Sequence, residues 1–411
     1  MKNLKSNFGF ASYLILKQIL KNTFGGLSRE VWLLSAVMFI NRSGTMVVAF
    51  LSVYLTQELH FSLIDAGFIL AAYGVGSLTG TWLGGKLTDI LGNFPVQFFS
   101  LFIGGIMFLV TVQTQHFPTL IILAFFLSVT GEAYRPANNA SIAEFSNHQN
   151  FTRSVSLVRL AINLGWSIGP ALGGFLAAIN YKWLFYVDGF TNIMAAGLVF
   201  LFLRKSHKKR DRKIVNITSR ESVLKDRIFV VFIVFVTFYA IAFFQIFTIG
   251  PLFFKRDCGF SEQEIGLLLG VNGLLVVLIE MFLIAKIDGK YQKLRLISFG
   301  VFLVVINFVF FAFTHNYWLL MLGIVFATFS EIFAMPYMNT FSLERATPQN
   351  RGAYSGLYSM TWAIASVFSP FLSTQVIDKF GFQALWIVLG SLSLVATFGF
   401  IFIGRFLRRI R

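Results

Sequence analysis

The sequence predicts an all-α membrane protein whose twelve transmembrane helices form two pseudo-symmetric bundles of six. Three observations support this fold: an apolar composition, basic residues concentrated on one side of the predicted spans, and an internal repeat. Hydrophobic residues make up 56% of the 411 residues and charged residues only 13%, whereas about 25% of a soluble domain is charged. Lipid is therefore the expected solvent for most of the chain.

The apolar segments fall into two groups of six. Each segment is long enough to cross about 30 Å of hydrocarbon at about 1.5 Å per residue. The first group lies near 31–55, 63–87, 95–114, 118–143, 153–178 and 183–203. The second group lies near 228–254, 262–286, 294–314, 317–343, 352–377 and 382–404.

The distribution of Lys and Arg predicts which ends of the spans face the cytoplasm. The polar segment 204–227 between the two groups holds ten basic residues. The loops on the other side of the spans carry only Lys182, Lys255, Arg256 and Lys379. Because cytoplasmic loops of membrane proteins are enriched in Lys and Arg, both termini and this segment are predicted to be cytoplasmic.

The predicted domain organisation has five parts. Residues 1–30 form a cytoplasmic N-terminal segment, 31–203 the first bundle, 204–227 a basic cytoplasmic linker, 228–404 the second bundle and 405–411 a basic cytoplasmic tail. Within the first part, residues 11–24 group their polar side chains beside a larger apolar face. This pattern predicts a helix lying on the membrane surface, with a disordered tail as the alternative.

The remaining composition argues against several classes of protein. A single cysteine, Cys258, and five scattered histidines leave no disulfide framework and no spacing suited to a metal site. The basic residues lie between apolar spans rather than on a nucleic-acid-reading module. No motif indicates a catalytic nucleophile or a phosphate-binding loop. We therefore expect no enzyme, cofactor, metal or nucleic-acid partner.

The two halves repeat each other at an offset of about 199 to 200 residues. Matching pairs include Phe61 and Phe260, Ser62 and Ser261, Gly67 and Gly266, Asp89 and Asp288, Glu132 and Glu331, Pro136 and Pro336, Asn139 and Asn339, Glu144 and Glu344, and Pro170 and Pro370. A parallel repeat of this kind is typical of secondary transporters, whose substrate site lies between the two halves.

Two motifs carry a family resemblance. The segment 84–93 resembles the signature loop of the major facilitator superfamily at Gly85, Asp89 and Gly92, although Ile90, Asn93 and Phe94 replace its usual basic residues. Glycine permits the tight bend, and Asp89 can cap a neighbouring helix or meet a partner charge.

The second motif lies in span five and resembles the Gly-Pro motif of the drug/proton antiporter branch of the superfamily. Its matching residues are Gly165, Gly169, Pro170, Gly173 and Gly174. Proline removes a backbone hydrogen bond and the small residues allow a close helix approach, so we expect a kinked, tightly packed hinge between the bundles. Simple helix packing is the alternative.

A competing resemblance is to the proton-coupled oligopeptide transporters. Glu331 precedes Pro336 in span ten, which is similar to that family's pattern in the same span. In span one, however, the family's Glu-x-x-Glu-Arg signature aligns with Met38, Asn41 and Arg42, so only the arginine matches.

Apart from charged residues in the first and last turns, seven charged residues lie in the interior of the predicted spans, where each costs at least about 2.5 kcal/mol on insertion scales. They are Arg42, Arg135, Arg159, Glu132, Asp188, Glu280 and Glu331. Since acids exceed bases by one, a buried carboxylate without a partner is expected to take up a proton. Glu331, Glu132 and Arg42, near mid-membrane, are therefore the predicted proton-coupling residues. A static ion pair of Glu132 with Arg135 is the alternative.

The other charged residues and several polar residues receive secondary predictions. Arg135, Arg159, Glu280, Asp188 and Asp89 are candidates for gates or ion pairs. The residues that could line a central cavity, or else form single interhelical hydrogen bonds, are Asn41, Tyr73, Asn138, Asn163, Tyr239, Gln245, Asn272 and Asn339.

The resemblance implies a proton-coupled antiporter that exports amphipathic or hydrophobic small molecules by alternating access. One alternative is proton-coupled uptake of peptides or other small solutes. Another is a membrane receptor or assembly subunit that does not transport. The expected partners are a small-molecule substrate, protons and membrane lipids, and the expected form is a monomeric multi-pass protein of the cell membrane, which the resemblance places in the bacterial inner membrane.

Overall fold

The computed structural model describes residues 26–147, 150–204, 223–287, 290–346 and 351–410. The predicted surface helix at 11–24 and most of the predicted linker at 204–227 lie outside these ranges. The domain boundaries drawn from the sequence therefore stay predictions.

Six helices form the first bundle. They are α1 (Arg29–Glu58), α2 (Leu63–Leu91), α3 (Asn93–Thr111), α4 (Phe117–Glu144), α5 (Phe151–Ile179) and α6 (Lys182–Leu203). Helix α1 is interrupted, because its first part ends at Ser43 and its second part begins at Met46. Both α1 and α6 end in a π-helical turn, at Tyr54–Glu58 and Val199–Leu203 respectively.

The second bundle contains the other six helices. They are α7 (Arg227–Thr248, extended by Gly250–Arg256), α8 (Glu262–Ile287), α9 (Lys293–Phe313), α10 (Tyr317–Glu344), α11 (351–380) and α12 (382–410). An unbroken helix over Arg351–Ile410, 60 residues long, would measure about 90 Å, three times the hydrocarbon thickness. Gly381, with φ 80° and ψ 175°, ends α11 and allows α12 to return. The predicted twelve-helix fold is confirmed.

The internal repeat is visible in matching hydrogen bonds. Ser62 caps α2 by accepting from the N–H of Asp65 at 3.1 Å, and Ser261 accepts from the N–H of Glu264 at 3.3 Å. The ends of the preceding helices also match. The N–H of Phe61 donates to the Leu55 carbonyl at 3.0 Å, and the N–H of Phe260 donates to the Phe254 carbonyl at 2.9 Å. Two helix ends 199 residues apart thus fold in the same way.

The bundles touch mainly along two helix pairs, α5 with α8 and α2 with α11, and α1 makes a smaller contact with α7. Glycines make both approaches possible. A Cβ added at Gly174 would lie 2.3 Å from the backbone oxygen of Glu262, and one at Gly74 would lie 2.5 Å from that of Ser366. Neither distance is available to a real side chain, so glycine is required at both crossings.

The Gly-Pro motif therefore has two packing faces. Gly165, Gly169 and Gly173 lie against the interruption of α1, within the first bundle, while Gly174 lies against α8 of the second bundle. The α-helix continues through Pro170. The backbone oxygen of Pro170 also faces α8, 2.6 Å from a Cβ added at Gly266, so the motif contacts the other bundle through Pro170 and Gly174.

Asp188 of α6 lies at the interruption of α1. Its side chain is fully buried, and its carboxylate accepts hydrogen bonds from the backbone N–H groups of Met46 at 3.2 Å and Val47 at 2.8 Å. These are donors at the start of a helix segment, where a carboxylate is favoured by unpaired N–H groups and by the helix dipole. The sequence suggested a gate or an ion pair. Within the described residues, Asp188 forms no ion pair and instead caps the second half of α1.

Replacing this cap should destabilise the first bundle. We expect Asp188→Ala to lower the free energy of unfolding by about 2–4 kcal/mol, because two N–H donors lose a charged acceptor in a dry site. Asp188→Asn, which keeps one acceptor oxygen, should lose less. Unfolding in SDS would measure both variants, with Asp378→Ala at an exposed position as the control. An Asp188→Ala variant as stable as the control would refute the capping role.

Asp226 joins the start of α7 to the end of α10. Its carboxylate accepts from Nε and Nη2 of Arg345, both at 2.7 Å, and from the hydroxyl of Tyr354 at 3.0 Å. Partial burial opposes ionisation of Asp226. The hydrogen bonds and charge of Arg345 outweigh burial and hold the pKa of Asp226 below its ordinary value of 3.8.

This interaction predicts a specific pH dependence. Because the folded pKa of Asp226 lies below the unfolded pKa, the ionised group stabilises the fold above about pH 4 and loses this effect as pH falls through the folded pKa. We expect Asp226→Asn to have a lower unfolding temperature than the wild type at about pH 6 and the same temperature at strongly acidic pH. Asp378→Asn serves as the control. A difference that does not change with pH would contradict the assignment.

Candidate functional site

A cavity of about 350 Å³ lies between the two bundles. Helices α1, α2, α4 and α5 supply most of its wall, and α7 and α11 close it from the second bundle. We use the term basic end for the ends of the helices that carry Lys86, Arg153, Lys293, Arg345 and Arg405.

One wall of the cavity is charged. Arg42, Tyr73, Glu132 and Arg135 all line it, and Nη1 of Arg135 donates to Glu132 at 2.9 Å, one turn away on α4. Arg42 lies close enough to interact electrostatically with Glu132, and its Nε is buried without a hydrogen-bond partner in the described residues. Two cations thus share one carboxylate, and this wall carries a net positive charge when all three groups are ionised.

The cavity is also lined by apolar and aromatic side chains. They include Met38, Ile162 and Trp166 from the first bundle and Phe244 from the second. A cavity with both charged and aromatic lining suits an amphipathic ligand, since the apolar part can be buried while a polar group meets the charges.

Glu331 has different surroundings from Glu132, its partner in the repeat. Its carboxylate accepts a hydrogen bond from the amide nitrogen of Asn272 at 3.4 Å, and the same amide donates to Thr328 at 3.0 Å. None of the ion pairs among the described residues involves Glu331. The two repeat-related acids therefore differ: Glu132 is balanced by arginines, whereas Glu331 has a neutral hydrogen-bond partner.

Near the basic end, an ion pair joins the two bundles. Arg159 of α5 pairs with Glu280 of α8, and Asn163 donates to the same carboxylate at 3.4 Å. Both Arg159 and Glu280 are among the residues that the sequence predicts as gates or ion pairs, and the structure places them together. The side chain of Glu280 is buried, at 8% exposed, with the arginine and the amide of α5 as its partners.

At the other end of the same two helices, a second polar cluster joins the bundles. The hydroxyl of Tyr181 donates to Glu262 at 2.7 Å, and Nζ of Lys255 lies 2.7 Å from the same carboxylate oxygen. Sequence reasoning missed this cluster, because Tyr181 and Glu262 sit at helix ends that look like ordinary loop borders. The bundles are thus in contact at the end opposite the basic end.

The exposed polar side chains indicate where the cavity opens. Arg135 and Asn139 on α4 and Asn339 on α10 are exposed in the halves of their helices nearest the basic end. Polar groups are not expected to face lipid at that depth. The cavity therefore opens towards the basic end in this conformation.

The predicted cavity residues are placed differently from one another. Of the eight, Tyr73 lines the 350 Å³ cavity and Asn339 is exposed on α10. The others form hydrogen bonds: Asn41 with Asn192, Asn138 with Tyr134, Asn163 with Glu280, Tyr239 with Ser330, Gln245 with Ser369, and Asn272 with Thr328 and Glu331. Asn139 lines the cavity but was not predicted. The signal in the sequence that could have identified Asn139 is its match to Asn339 in the repeat.

The signature loop lies at the basic end. Gly92, with φ 90° and ψ 171°, ends α2 in a conformation that favours glycine. Asp89 is exposed in the last turn of α2, and Gly85 has open space around its Cα. Of the three matched positions, Gly92 is the one whose backbone demands its residue type.

The ion pair at the basic end supports a testable prediction. If Arg159 and Glu280 hold the bundles together there, Glu280→Gln should weaken the contact and reduce transport by roughly 10-fold, within the range of conformational coupling energies. The exchange Arg159→Glu with Glu280→Arg should recover much of the activity. Transport by the two single variants and the double variant in proteoliposomes measures the coupling. No recovery in a well-folded double variant would argue against this gate.

Comparisons with known proteins agree with the fold and the motifs. A sequence model of the family described as Major Facilitator Superfamily matches residues 31–370. Among similar curated proteins, the "Na(+), Li(+), K(+)/H(+) antiporter" of Planococcus maritimus is 23% identical, over 90% of this chain and 93% of its own. "Multidrug resistance protein 2" of Bacillus subtilis (strain 168) is 23% identical, over 83% of this chain and 89% of its own. "Quinolone resistance protein NorA" of Staphylococcus aureus (strain COL) is 20% identical, over 86% of this chain and 91% of its own.

Solved structures show the same fold. A POT family transporter in complex with 5-aminolevulinic acid has a TM-score of 0.77 at 14% identity, covering 91% of this chain and 96% of its own. The nucleoside transporter NupG has a TM-score of 0.74 at 14% identity, covering 92% of this chain and 99% of its own. The predicted resemblance is confirmed. Because the family model spans most of its length, this chain belongs to the Major Facilitator Superfamily.

Proposed function

We propose that the protein is a proton-coupled antiporter that exports amphipathic small molecules by alternating access. The observation that carries the proposal is the unequal pair of acids in the repeat. Glu132 is held by arginines at the cavity, whereas Glu331 has only a neutral amide donor. One bundle thus offers a substrate site with fixed charge, and the other offers a carboxyl group that can gain and lose a proton.

Glu331 is the proton carrier in this proposal. When it is neutral, its site in the second bundle contains no uncompensated charge, and the bundles can change orientation at low cost. When it is ionised, the buried charge favours the conformation in which water reaches it. Proton loss to the cytoplasm and substrate entry through the basic end are then linked, and proton entry from outside resets the transporter.

The substrate class follows from the charged and the aromatic side chains that line the cavity. The aromatic side chains of Trp166 and Phe244 accept the apolar part of a substrate, and Arg42, Glu132 and Arg135 receive its polar part. Two relatives carry names of drug-resistance proteins, which agrees with export.

The alternatives have weaker support. One relative is named as a monovalent cation/proton antiporter, but a cavity that holds two arginines and one carboxylate would repel a bare cation. For peptide uptake, the carboxylates of the oligopeptide transporters are replaced by Met38 and Asn41. A receptor without transport does not require the charged cavity.

Purified protein in proteoliposomes with an imposed pH gradient tests the proposal. Ethidium, norfloxacin, a dipeptide, Na⁺ and K⁺ would be compared as substrates, with nigericin to collapse the gradient. We expect norfloxacin, whose carboxylate can meet the arginines, to accumulate in the acidic interior several-fold above protein-free vesicles. Peptide movement in the same direction as protons would support uptake instead, and cation movement alone would support the cation antiporter. No movement of any solute would support the receptor.

A further inference from the structure

A groove on the lipid-facing surface of the second bundle lies between α9 and α12 at the basic end. It has a volume of about 580 Å³ and is separate from the central cavity. Its charged residues are Arg295 from the first turn of α9 and Arg405 and Arg408 from the last turns of α12. All three side chains are exposed.

The three arginines have no counter-ion in the described residues. None of the ion pairs or hydrogen bonds there involves Arg295, Arg405 or Arg408. The nearby Lys293 is different, because it pairs with Glu344 of α10. The dipole of α12 favours a positive charge at its C-terminus, which accounts for an arginine on that helix. It does not explain why a second helix brings an arginine to the same groove.

Below the arginines, the groove becomes aromatic and apolar. Phe299 and Phe302 follow Arg295 along α9, and Phe398 and Leu394 precede Arg405 along α12. Since the two helices are antiparallel, both sequences run from charge to apolar surface over about 10–15 Å, at about 1.5 Å per residue. Gly404 lines the groove where α12 passes Leu294 of α9.

We propose that this groove binds the headgroup of an anionic phospholipid. The phosphodiester lies among Arg295, Arg405 and Arg408, and the upper acyl chains lie along Phe299, Phe302 and Phe398. Charge complementarity selects the occupant: three guanidinium groups without an ion-pair partner among the described residues match a phosphate anion, and the aromatic floor lies at the depth where acyl chains begin.

The same chemistry makes the site specific. A zwitterionic lipid carries its own cation near the phosphate, which the arginines repel, whereas an anionic lipid does not. Each arginine near the membrane surface contributes about a 5-fold gain in affinity for an anionic lipid. Inorganic phosphate offers the anion without the chains and is therefore expected to bind much more weakly.

Lipid titration of the full-length purified protein tests this site. Bound lipid would be counted by native mass spectrometry for phosphatidylglycerol and for phosphatidylcholine with the same acyl chains. We expect the wild type to prefer phosphatidylglycerol and Arg295→Gln/Arg405→Gln to bind it roughly 30-fold more weakly. Arg153→Gln/Lys86→Gln removes the same charge from the basic end of the first bundle and should retain the preference.

Two further measurements keep the proposal falsifiable. Ile401→Trp fills the groove without changing its charge and should also reduce phosphatidylglycerol binding, so it substitutes for the double variant if that fails to fold. Inorganic phosphate at equal concentration should not displace the lipid. Equal losses in the groove and control variants, no loss in Ile401→Trp, or displacement of the lipid by inorganic phosphate would each overturn the site.

Discussion

Glu331→Gln is expected to abolish proton-driven transport, with a loss of 100-fold or more in substrate accumulation against a gradient. Glutamine keeps the size of the side chain and an acceptor for the Asn272 amide, which donates at 3.4 Å. It cannot exchange a proton. A driven antiporter that loses its proton carrier loses coupling, but the substrate cavity between the bundles, which Glu331 does not line, is unchanged.

The diagnostic measurement separates coupling from substrate binding. In Glu331→Gln, exchange of labelled for unlabelled substrate without a pH gradient should persist within a few-fold of wild type. Glu344→Gln, on the same helix but paired with Lys293 at the basic end, provides the matched control and should keep driven transport. If Glu331→Gln drives accumulation as the wild type does, Glu331 is not the proton carrier.

Glu132→Gln gives the complementary result. Its carboxylate is paired with Arg135 at 2.9 Å, so its removal leaves two arginines without an anion at the cavity wall. We therefore expect the variant to lose substrate affinity rather than coupling, which would appear as reduced exchange as well as reduced driven transport.

Gly174→Ala is the second substitution with a large expected effect. A Cβ at this position would lie 2.3 Å from the backbone oxygen of Glu262 and 2.9 Å from Cα of Gly266. Backbone atoms cannot rotate away as a side chain does, so α5 and α8 must separate at the end opposite the basic end. Overpacking of this size costs about 1–3 kcal/mol, enough to shift the conformational equilibrium roughly 5- to 150-fold.

The predicted shift can be measured directly. Spin labels at Gln113→Cys and Lys379→Cys, in a Cys258→Ser background, report the separation of the two bundles at that end. We expect a longer distance in Gly174→Ala, together with transport at least roughly 10-fold slower. Gly197→Ala is the matched control, because nothing lies within 4 Å of its added Cβ. Unchanged distances in Gly174→Ala would show that the crossing tolerates a side chain.

The sequence predicted the fold because few backbone structures are stable in lipid. In lipid every backbone polar group must be paired within the segment, so long apolar stretches have to be helices. The twelve segments and the two-fold repeat could be read directly. The turn at Gly381 was also implied, since a 60-residue helix cannot fit the bilayer.

The roles of individual charges could not be predicted in the same way. Sequence position placed Asp188 in a span but did not show the interruption of α1 that it caps. It placed Glu132 and Glu331 at equivalent positions. The Glu132–Arg135 pair lies within α4 and its spacing offered it as an alternative, but the Asn272 partner of Glu331 comes from α8. Pairing between helices depends on which helices are neighbours and how they are rotated, and a single sequence does not contain that information.

The sequence by itself determined the number of spans, the repeat and the short list of intramembrane charges, because hydrophobicity and the cost of a charge in lipid act on each segment separately. Only the tertiary structure decided which acid is balanced by arginines and which has a neutral partner, which glycines lie between the bundles, and where three arginines meet an aromatic groove. These features arise from contacts between helices distant in the chain, and packing alone sets those contacts.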